Sequence, residues 1–266
     1  MRVAFIGDIV GRPARDIIRE NLKKLKEIYS IDVVVANYEN AAHGFGITRK
    51  ILNELIESGI DIFTGGNHTW DKKDIFTMFD EYPTLLRPFN YPDEVVGRGV
   101  VTYKDLTVIN LLGQFSMPNI ENPFRIMDKI STDFSGNILI DFHAESTSEK
   151  LAMFHILKGK VSAIIGTHTH IGTDDLVIDS GTAYITDIGM TGCNSGVIGV
   201  KKEAAIYRFM TGIAKSFDID DKCRDKILQL LIIDMDNGLA TNSFKIKVKN
   251  KRASITLRAD IENSIF

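Results

Sequence analysis

The sequence has no long hydrophobic run and no strong excess of charge of either sign. No apolar stretch approaches the roughly 18 residues that a membrane-spanning helix needs. Asp8 interrupts the short apolar N-terminus before the core of a signal peptide is complete. Lys and Arg total 32 against 35 Asp and Glu, so the chain lacks the basic surface with which proteins grip a phosphate backbone. These absences argue against a membrane protein, a secreted protein and a protein that binds long nucleic acid.

Cysteine is also scarce, because only Cys193 and Cys223 are present. Their spacing matches neither a disulfide framework nor a thiolate zinc site, which predicts a protein of a reducing compartment, with the cytoplasm as the expected location. There is no internal repeat, low-complexity tract or change of composition that would mark a linker. A chain of 266 residues, 44% hydrophobic and 25% charged, therefore predicts one folded domain over residues 1–266.

The first half of the chain alternates short apolar runs with amphipathic stretches, which is the rhythm of a βαβαβ unit. Strands are predicted over 3–6, 33–38, 60–64, 138–142 and 161–165, and helices over 13–29 and 48–57. One face of the first helix carries Ile17, Ile18, Leu22, Leu25 and Ile28. Ser146 and Glu149 are predicted to form a capping box at the start of a further helix. Beyond residue 170, closely spaced glycines indicate short antiparallel strands, and a hairpin is predicted from 244–248 and 254–258. The predicted class is α/β with a mixed sheet.

Side chains that can bind metal follow five of the apolar runs. They are Asp8, then Glu39 and Asn40, then Asn67 and His68, then Asp141 and His143, and finally His168 and His170. Because the carboxyl ends of strands line up along one edge of an open α/β sheet, we expect these groups to converge. His168 and His170 are two residues apart, so both would face one way at the end of an extended strand. Imidazole, carboxylate and amide ligands without thiolate favour iron, manganese or zinc over calcium or magnesium.

The two carboxylates Asp8 and Glu39 indicate the chemistry of such a site. A buried pair of anions is costly unless cations neutralise it, and two divalent ions would leave a net positive cavity that suits a phosphate anion. Phosphoryl chemistry is therefore favoured over redox chemistry. Alternatively, each carboxylate caps the helix that follows it. No nucleotide cofactor is predicted, since the turn from Gly7 to Gly11 departs from a dinucleotide-binding loop and Asp8 would repel a pyrophosphate.

Two blocks of the sequence, Gly65-Gly66-Asn67-His68 and Gly166-Thr167-His168-Thr169-His170, resemble motifs of the calcineurin-like metallophosphoesterases. The segments 7–15 and 39–46 resemble one bacterial branch of that family, the YmdB-like cyclic nucleotide phosphodiesterases. The resemblance extends from residue 1 to near residue 200. It implies an α/β sandwich in which mixed β-sheets are flanked by helices.

The resemblance also implies a role for each candidate residue. Asp8, Glu39, Asn40 and His170 would hold one metal ion, and Glu39 would bridge to a second ion held by Asn67, His143 and His168. His68 would be the general acid in a dinuclear phosphodiesterase that hydrolyses cyclic nucleotides, above all 2′,3′-cyclic nucleotides, by metal-hydroxide attack. Iron or manganese is the expected metal, with zinc as an alternative. The wider family usually has a histidine in its first motif; Asp8-Ile9-Val10 lacks it, and Asn40 is expected to fill the gap.

Other functions stay open at this point. A phosphomonoesterase or a nuclease for short single strands would use the same site, and a regulatory or scaffolding protein would keep its metal and act through a partner. The expected partner is a small-molecule phosphodiester, and a homo-oligomer is also allowed. The role of His43 is open between substrate contact and a solvated loop position. The 113–124 loop is a candidate cover for the site.

Overall fold

The computed structural model describes residues 1–130, 134–213, 218–249 and 252–262. The strands are β1 Arg2–Ile6, β2 Val33–Asn37, β3 Ile62–Thr64, β4 Val100–Tyr103, β5 Leu106–Leu112, β6 Asn137–His143, β7 Ala163–Thr167, β8 Val177–Asp179, β9 Thr182–Ile185, β10 Gly192–Cys193, β11 Lys226–Asp236, β12 Leu239–Lys249, β13 Arg252–Arg258 and β14 Asp260–Glu262. The helices are α1 Gly11–Tyr29, α2 Arg49–Glu57, α3 Ile75–Glu81, α4 Pro123–Ile130, α5 Thr147–Leu157 and α6 Lys202–Thr211. The predicted βαβαβ unit is confirmed in β1 to β3.

The strands form two mixed seven-stranded sheets. The first sheet has the order β13-β12-β11-β1-β2-β3, with β10 beside β11, and the second has the order β14-β8-β9-β7-β6-β5-β4. In the first sheet β1, β2 and β3 are parallel, whereas β11, β12 and β13 pair antiparallel. In the second sheet β5, β6, β7 and β9 are parallel neighbours. The predicted α/β class with mixed sheets is therefore confirmed.

The core is layered because side chains of a strand alternate between its two faces. Val3 and Phe5 of β1 belong to a buried cluster with Leu139 and Ile165 of the second sheet. Ala4 and Ile6 point the other way and join a cluster that includes the buried faces of α1 and α2. The two sheets thus share an inner apolar layer, and helices cover the outer face of the first sheet.

Helix α1 differs from its prediction at one position. Ile17, Ile18, Leu22 and Leu25 are buried as predicted, but Ile28 is 60% exposed. The reason lies at the end of the helix, where Tyr29 packs against the ring of Phe244 with centroids 5.9 Å apart and occupies the place next to the core.

The predicted capping box at α5 is wrong. Ser146 is the N-cap residue but makes no capping hydrogen bond with its side chain, and its hydroxyl lies 2.7 Å from that of Ser148. The Glu149 carboxylate accepts hydrogen bonds from the backbone N–H groups of Gln114 and Phe115. Backbone N–H groups from a distant part of the sequence therefore replace the nearby N–H group that a capping box would use. Through these hydrogen bonds Glu149 anchors the 113–124 loop.

A disulfide joins Cys193 and Cys223, so the prediction against a disulfide was wrong. Cys193 lies in β10, and Cys223 lies three residues before β11, with which β10 pairs antiparallel. The two cysteines are 30 residues apart in sequence, and the pairing of β10 with β11 brings them together. The contact therefore cannot be recognised from their spacing.

The predicted closing hairpin is confirmed, since β12 and β13 pair antiparallel from Phe244 with Arg258 to Lys249 with Arg252. Residues 250 and 251 of its turn lie outside the described residues. Across the described ranges, the helices are too short or too polar to cross a lipid bilayer.

Candidate metal centre

The predicted ligands lie at the carboxyl ends of strands from both sheets. Asp8 follows β1, Glu39 and Asn40 follow β2, and Asn67 follows β3. In the second sheet His143 ends β6, and His168 and His170 follow β7. The fold brings these seven residues to one edge of the sandwich, where they form two contacting groups.

The first group surrounds His143. Its Nε2 atom lies 3.2 Å from Glu39 Oε1, 3.1 Å from Asn67 Oδ1 and 3.1 Å from His168 Nδ1. Ligand atoms of Glu39, His143 and His168 all lie within 4.8 Å of one another, close enough to share one metal ion. These are the residues that the resemblance assigned to the second ion.

The second group contains Asp8, Asn40 and His170. His170 Nε2 lies 3.2 Å from Asn40 Oδ1 and 4.0 Å from Asp8 Oδ1. The other ring nitrogen, Nδ1, lies 2.8 Å from the carbonyl oxygen of Ile198, to which it donates a hydrogen bond. In the neutral ring this bond places the proton on Nδ1 and leaves the Nε2 lone pair facing Asn40 and Asp8.

Two buried carboxylate oxygens in these groups suit a cation. Asp8 Oδ1 and Glu39 Oε1 have no hydrogen-bond partner among the described residues. Burial raises the pKa of Asp8. Burial acts in the same direction on Glu39, but His143 and the other nearby imidazoles outweigh it and hold the pKa of Glu39 at about 2. Buried anionic oxygens without donors are costly, and metal ions bound by carboxylate, imidazole and amide groups remove that cost. The donor set therefore fits metal ions.

The same carboxylates affect the pKa values of the neighbouring imidazoles. Burial acts to lower the pKa of His143, but Glu39 and Asp8 outweigh it and raise this pKa to about 9. Burial, together with His143, lowers the pKa of His168 to about 3. Because an imidazole nitrogen must be deprotonated to bind a metal ion, metal binding at His143 would displace any proton that the carboxylates hold on its Nε2 atom.

Neither carboxylate acts as the helix cap that the sequence allowed as an alternative. Helix α1 starts at Gly11 with Val10 as its N-cap, and α2 starts at Arg49 with Thr48 as its N-cap. Both helix starts are thus separated from Asp8 and Glu39. The capping interpretation is therefore wrong.

Asp141 was grouped with the metal-capable side chains, but its contacts are different. Its carboxylate accepts hydrogen bonds from Asn37 Nδ2, Thr64 Oγ1 and Thr167 Oγ1. Thr167 Oγ1 lies 2.9 Å from His143 Nδ1, so Asp141 is connected to the candidate ligand His143 through the Thr167 hydroxyl. Burial raises the pKa of Asp141 to about 6. Asp141 joins the two sheets behind the cluster.

The loop after β7 departs from the extended conformation that the sequence predicts. His168 and His170 have φ values of 94° and 66°, in the left-handed region that residues other than glycine rarely adopt. Asp187 holds this loop by accepting hydrogen bonds from the N–H and hydroxyl of Thr169. The positive φ values turn His168 toward His143 and His170 toward Asn40.

His68 lies beside the first group. Its backbone N–H donates to Glu39 Oε2 over 3.1 Å, and its ring meets Phe45 edge to face with centroids 4.8 Å apart. Nδ1 lies 2.8 Å from the Asp71 carboxylate, so Nε2 is the nitrogen available to a substrate. His43 lies in an exposed turn and does not border the cavity that His68 borders.

A cavity of about 350 Å³ opens over the cluster. Glu39, Asn40, His168 and His170 line its polar side, and its apolar wall consists of Val10, Phe45, Ile198, Val200 and Ile219. We call these five residues the apolar wall. Sequence reasoning missed them because they come from separate loops and share no periodicity. The 113–124 loop does not line the cavity.

Comparison with known proteins agrees with this architecture. The model of the family described as YmdB-like protein matches residues 4–246. A 2′,3′-cyclic-nucleotide 2′-phosphodiesterase from Bacillus subtilis (strain 168) is 45% identical over 246 residues, which cover 89% of this chain and 92% of that protein. A hypothetical protein from Thermus thermophilus superposes with a TM-score of 0.88 at 33% identity, covering 94% of this chain and 99% of that one. The structure of a novel phosphatase from Mycoplasma pneumoniae gives a TM-score of 0.86 at 33% identity and covers 94% of this chain and 93% of its own. The resemblance is confirmed, and the chain belongs to the YmdB-like protein family.

Proposed function

We propose that this protein is a metal-dependent phosphodiesterase that hydrolyses 2′,3′-cyclic nucleotides. The observation that carries the proposal is the pair of buried oxygens, Asp8 Oδ1 and Glu39 Oε1, which have no hydrogen-bond donor in the described part of the chain and lie among imidazoles. The substrate class rests on the Bacillus subtilis relative, whose name specifies a 2′,3′-cyclic nucleotide.

Two sets of residues would hold two ions. Asp8, Asn40 and His170 would hold one, and Asn67, His143 and His168 the other, with Glu39 between them. Bound ions supply Lewis-acid activation of water and neutralise charge on the phosphoryl oxygens. The mixture of nitrogen and oxygen donors favours iron or manganese, with zinc as an alternative.

The protein's own groups would then position the substrate and deliver a proton. The apolar wall would pack against the ribose and base while the phosphate faces the polar side of the cavity. His68 Nε2 would protonate the departing ribose oxygen, and Asp71 would orient the ring through Nδ1. Because a sugar alkoxide is a poor leaving group, we expect this proton transfer to contribute about 10²- to 10⁴-fold to the rate.

The first experiment is hydrolysis of 2′,3′-cyclic AMP by metal-stripped protein, with and without added manganese, followed by chromatography of the products. We expect manganese-dependent formation of a nucleoside monophosphate. The isomer identifies the bond that breaks, since cleavage at the 2′ oxygen leaves the 3′-phosphate. Metal binding without turnover would contradict the proposal.

A phosphomonoesterase is the second candidate, favoured by the Mycoplasma pneumoniae structure that is described as a phosphatase. Rates on p-nitrophenyl phosphate and on bis(p-nitrophenyl) phosphate separate the two activities, because only the second compound is a diester. A preference for the monoester would favour the second candidate.

A further inference from the structure

The apolar wall and the disulfide belong to the same part of the chain. The loop that the disulfide closes, between Cys193 and Cys223, carries Ile198, Val200 and Ile219 of the wall. It also carries the Ile198 carbonyl group that accepts the hydrogen bond from His170 Nδ1. One covalent bond therefore closes the loop that forms one side of the substrate cavity.

Ile219 is the wall residue nearest to the disulfide in sequence, four positions before Cys223. It packs in a small buried cluster with Val10 and Met190. Its side chain occupies space that Gly11 leaves open, since a Cβ atom at position 11 would lie 2.7 Å from Ile219 Cγ2 and collide with it. The Lys201 N–H donates to the Asp218 carbonyl over 2.9 Å, and a bridge pairs Val200 with Ile219. These noncovalent contacts and the disulfide both hold the apolar wall in place.

The disulfide can be reached from a second cavity. Cys223 borders a surface cavity of about 580 Å³ between α1 and the segment before β11. Lys222, Arg224 and Lys226 line that cavity together with Asp16, Glu20 and Asp221, so the lining charges balance and carry no net negative charge that would repel a thiolate. Cys193 is 2% and Cys223 6% exposed, so we expect a reductant to attack Cys223, the cysteine that borders the cavity.

Polar groups around the sulfur atoms suit the reduced form as well as the oxidised one. Ser195 Oγ lies 3.5 Å from Cys193 Sγ and 3.6 Å from Cys223 Sγ. The Asp225 carbonyl oxygen lies 3.4 Å from Cys223 Sγ, where it accepts a hydrogen bond from a Cys223 thiol. Reduction therefore leaves neither thiol without a polar neighbour.

We propose that the Cys193–Cys223 disulfide is a reversible redox modification site that sets the affinity of the cavity for its substrate. In the reduction, a thiolate of a dithiol attacks Cys223 Sγ, the disulfide breaks, and Cys193 leaves as a thiolate that takes up a proton. The second thiol of the reductant then attacks the mixed disulfide and releases Cys223, which is protonated in turn. The dithiol loses two electrons and two protons, and the protein gains two thiols.

Reduction acts on substrate binding because of where the loop lies. The loop loses its covalent closure, so Ile198, Val200 and Ile219 are held less firmly against the substrate. All seven candidate ligands and His68 lie outside residues 193–223, and the contact of a candidate ligand with the loop described above is the hydrogen bond from His170 Nδ1 to the Ile198 carbonyl group. Loss of the covalent closure leaves this hydrogen bond possible, so we expect metal content and proton transfer to be retained. The backbone contacts at Lys201 and Val200 remain, so we expect KM to rise several-fold while kcat changes little.

The test compares the metal-loaded protein in its oxidised form with the same protein reduced by dithiothreitol, after removal of the reductant and a count of titratable thiols. We expect two thiols only after reduction, an unchanged metal content and a several-fold higher KM for 2′,3′-cyclic AMP. The Cys193→Ser/Cys223→Ser variant should have the KM of the reduced form with or without dithiothreitol. A disulfide that resists dithiothreitol in the folded protein would overturn the proposal. Equal KM values in the two forms, with the thiol count showing complete reduction, would also overturn it.

This inference rests on the proposed function only for the substrate of the assay. If neither form hydrolyses cyclic nucleotides although metal is bound, the proposed function fails, and hydrogen–deuterium exchange then decides on the redox site. Peptides covering 194–213 and 218–222 should exchange faster after reduction, whereas peptides of β5 and β6 should not change. Unchanged exchange in the first two segments would overturn the redox site by itself.

Discussion

Hydrogen bonding distinguishes the candidate metal ligands from other buried side chains at the scale of single residues. Asp141 and Asp8 are both fully buried, and each lies within two residues of the carboxyl end of a strand. The Asp141 oxygens accept bonds from Asn37, Thr64 and Thr167, whereas Asp8 Oδ1 has no such partner in the described ranges. Since buried polar atoms are normally paired, the unpaired oxygen marks a position for a cation.

Replacing one candidate ligand should lower the metal content. In His168→Ala the group around His143 loses an imidazole nitrogen that lies 3.1 Å from His143 Nε2, and the remaining donors form an incomplete set. We expect less bound manganese after equilibrium dialysis, measured by elemental analysis. His155→Ala, on the exposed side of α5, is the matched control and should bind as much metal as the wild type. Equal metal content in His168→Ala would refute its assignment as a ligand.

Replacing the proposed acid should separate chemistry from metal binding. His68→Ala removes the ring that lies 2.8 Å from Asp71 but none of the ligand atoms. We expect kcat for 2′,3′-cyclic AMP to fall about 10²-fold or more at unchanged metal content. If His68 instead supported a ligand, the metal content would fall in parallel with the rate. Full activity would rule out both roles.

The candidate ligands could be found in the sequence because their positions follow a simple rule. Each of Asp8, Glu39, His143 and His168 comes at or just past the end of an apolar run, and parallel strands bring such positions to one edge. No comparable rule predicts the position of Ile219, which belongs to the apolar wall but comes from a loop far along the chain. Its place depends on the absence of a side chain at Gly11, which only the folded structure reveals.

At the scale of elements, α5 and the turn after β9 together hold the ligand loop that follows β7. Lys150 of α5 donates to the Thr167 carbonyl over 2.8 Å and to the Asp187 carboxylate over 2.9 Å. Asp187 also accepts a hydrogen bond from the Gly189 N–H in addition to those from Thr169. Three elements therefore meet at one buried carboxylate, and the positive φ values of His168 and His170 are maintained by that contact.

Breaking this ion pair should destabilise the protein strongly. Both side chains are about 1% exposed, so Lys150→Met leaves the Asp187 carboxylate without its compensating charge. We expect the free energy of unfolding in urea to fall by about 3–5 kcal/mol. Lys158→Met, at the C-cap position of the same helix, removes the partner of Asp179 from a pair whose lysine is 35% exposed. That control should lose no more than about 1 kcal/mol, and equal losses in the two variants would contradict the role of the buried pair.

Local pattern predicted the elements well where neighbouring residues decide the structure and poorly where distant contacts decide it. The period of α1 follows from burial of Ile17, Leu22 and Leu25 against the first sheet. The capping box failed because Glu149 finds donors 34 and 35 residues away. The turn at His168 was equally hidden, since Asp187 lies beyond two further strands.

At the scale of the whole molecule, the two sheets share one inner layer, and this layer supports our proposal that residues 1–266 form a single domain. Val3 and Phe5 of the first sheet and Leu139 of the second belong to the same buried cluster. The layer is not entirely apolar, because Lys245 of β12 is 2% exposed and its ammonium group lies beside Gly172, on a loop from the second sheet. A buried ammonium group at this junction makes the stability of the whole fold depend on pH.

The direction of that dependence follows from the pKa of Lys245. Burial, aided by the charge of Lys247, outweighs Asp187 and Asp175 and lowers this pKa from 10.5 to about 8. Above pH 10.5 the lysine is neutral in both states and costs nothing. As the pH falls from 10.5 to 8 the unfolded chain takes up the proton first, so the folded state loses stability, and the full cost applies below pH 8.

Replacing Lys245 by methionine should therefore stabilise the protein at neutral pH. A pKa lowered from 10.5 to about 8 corresponds to a cost of up to about 3 kcal/mol, because each unit is worth about 1.4 kcal/mol. We expect Lys245→Met to unfold at higher urea concentration than the wild type at pH 7, with a difference that shrinks as the pH rises toward 10. Lys160→Met, at an exposed position, is the control for removing a lysine that has no buried ammonium group. Its urea midpoint should follow that of the wild type at every pH. A constant difference between Lys245→Met and the wild type across this range would mean that methionine acts through packing, and that the ammonium group at the junction of the two sheets carries no electrostatic cost.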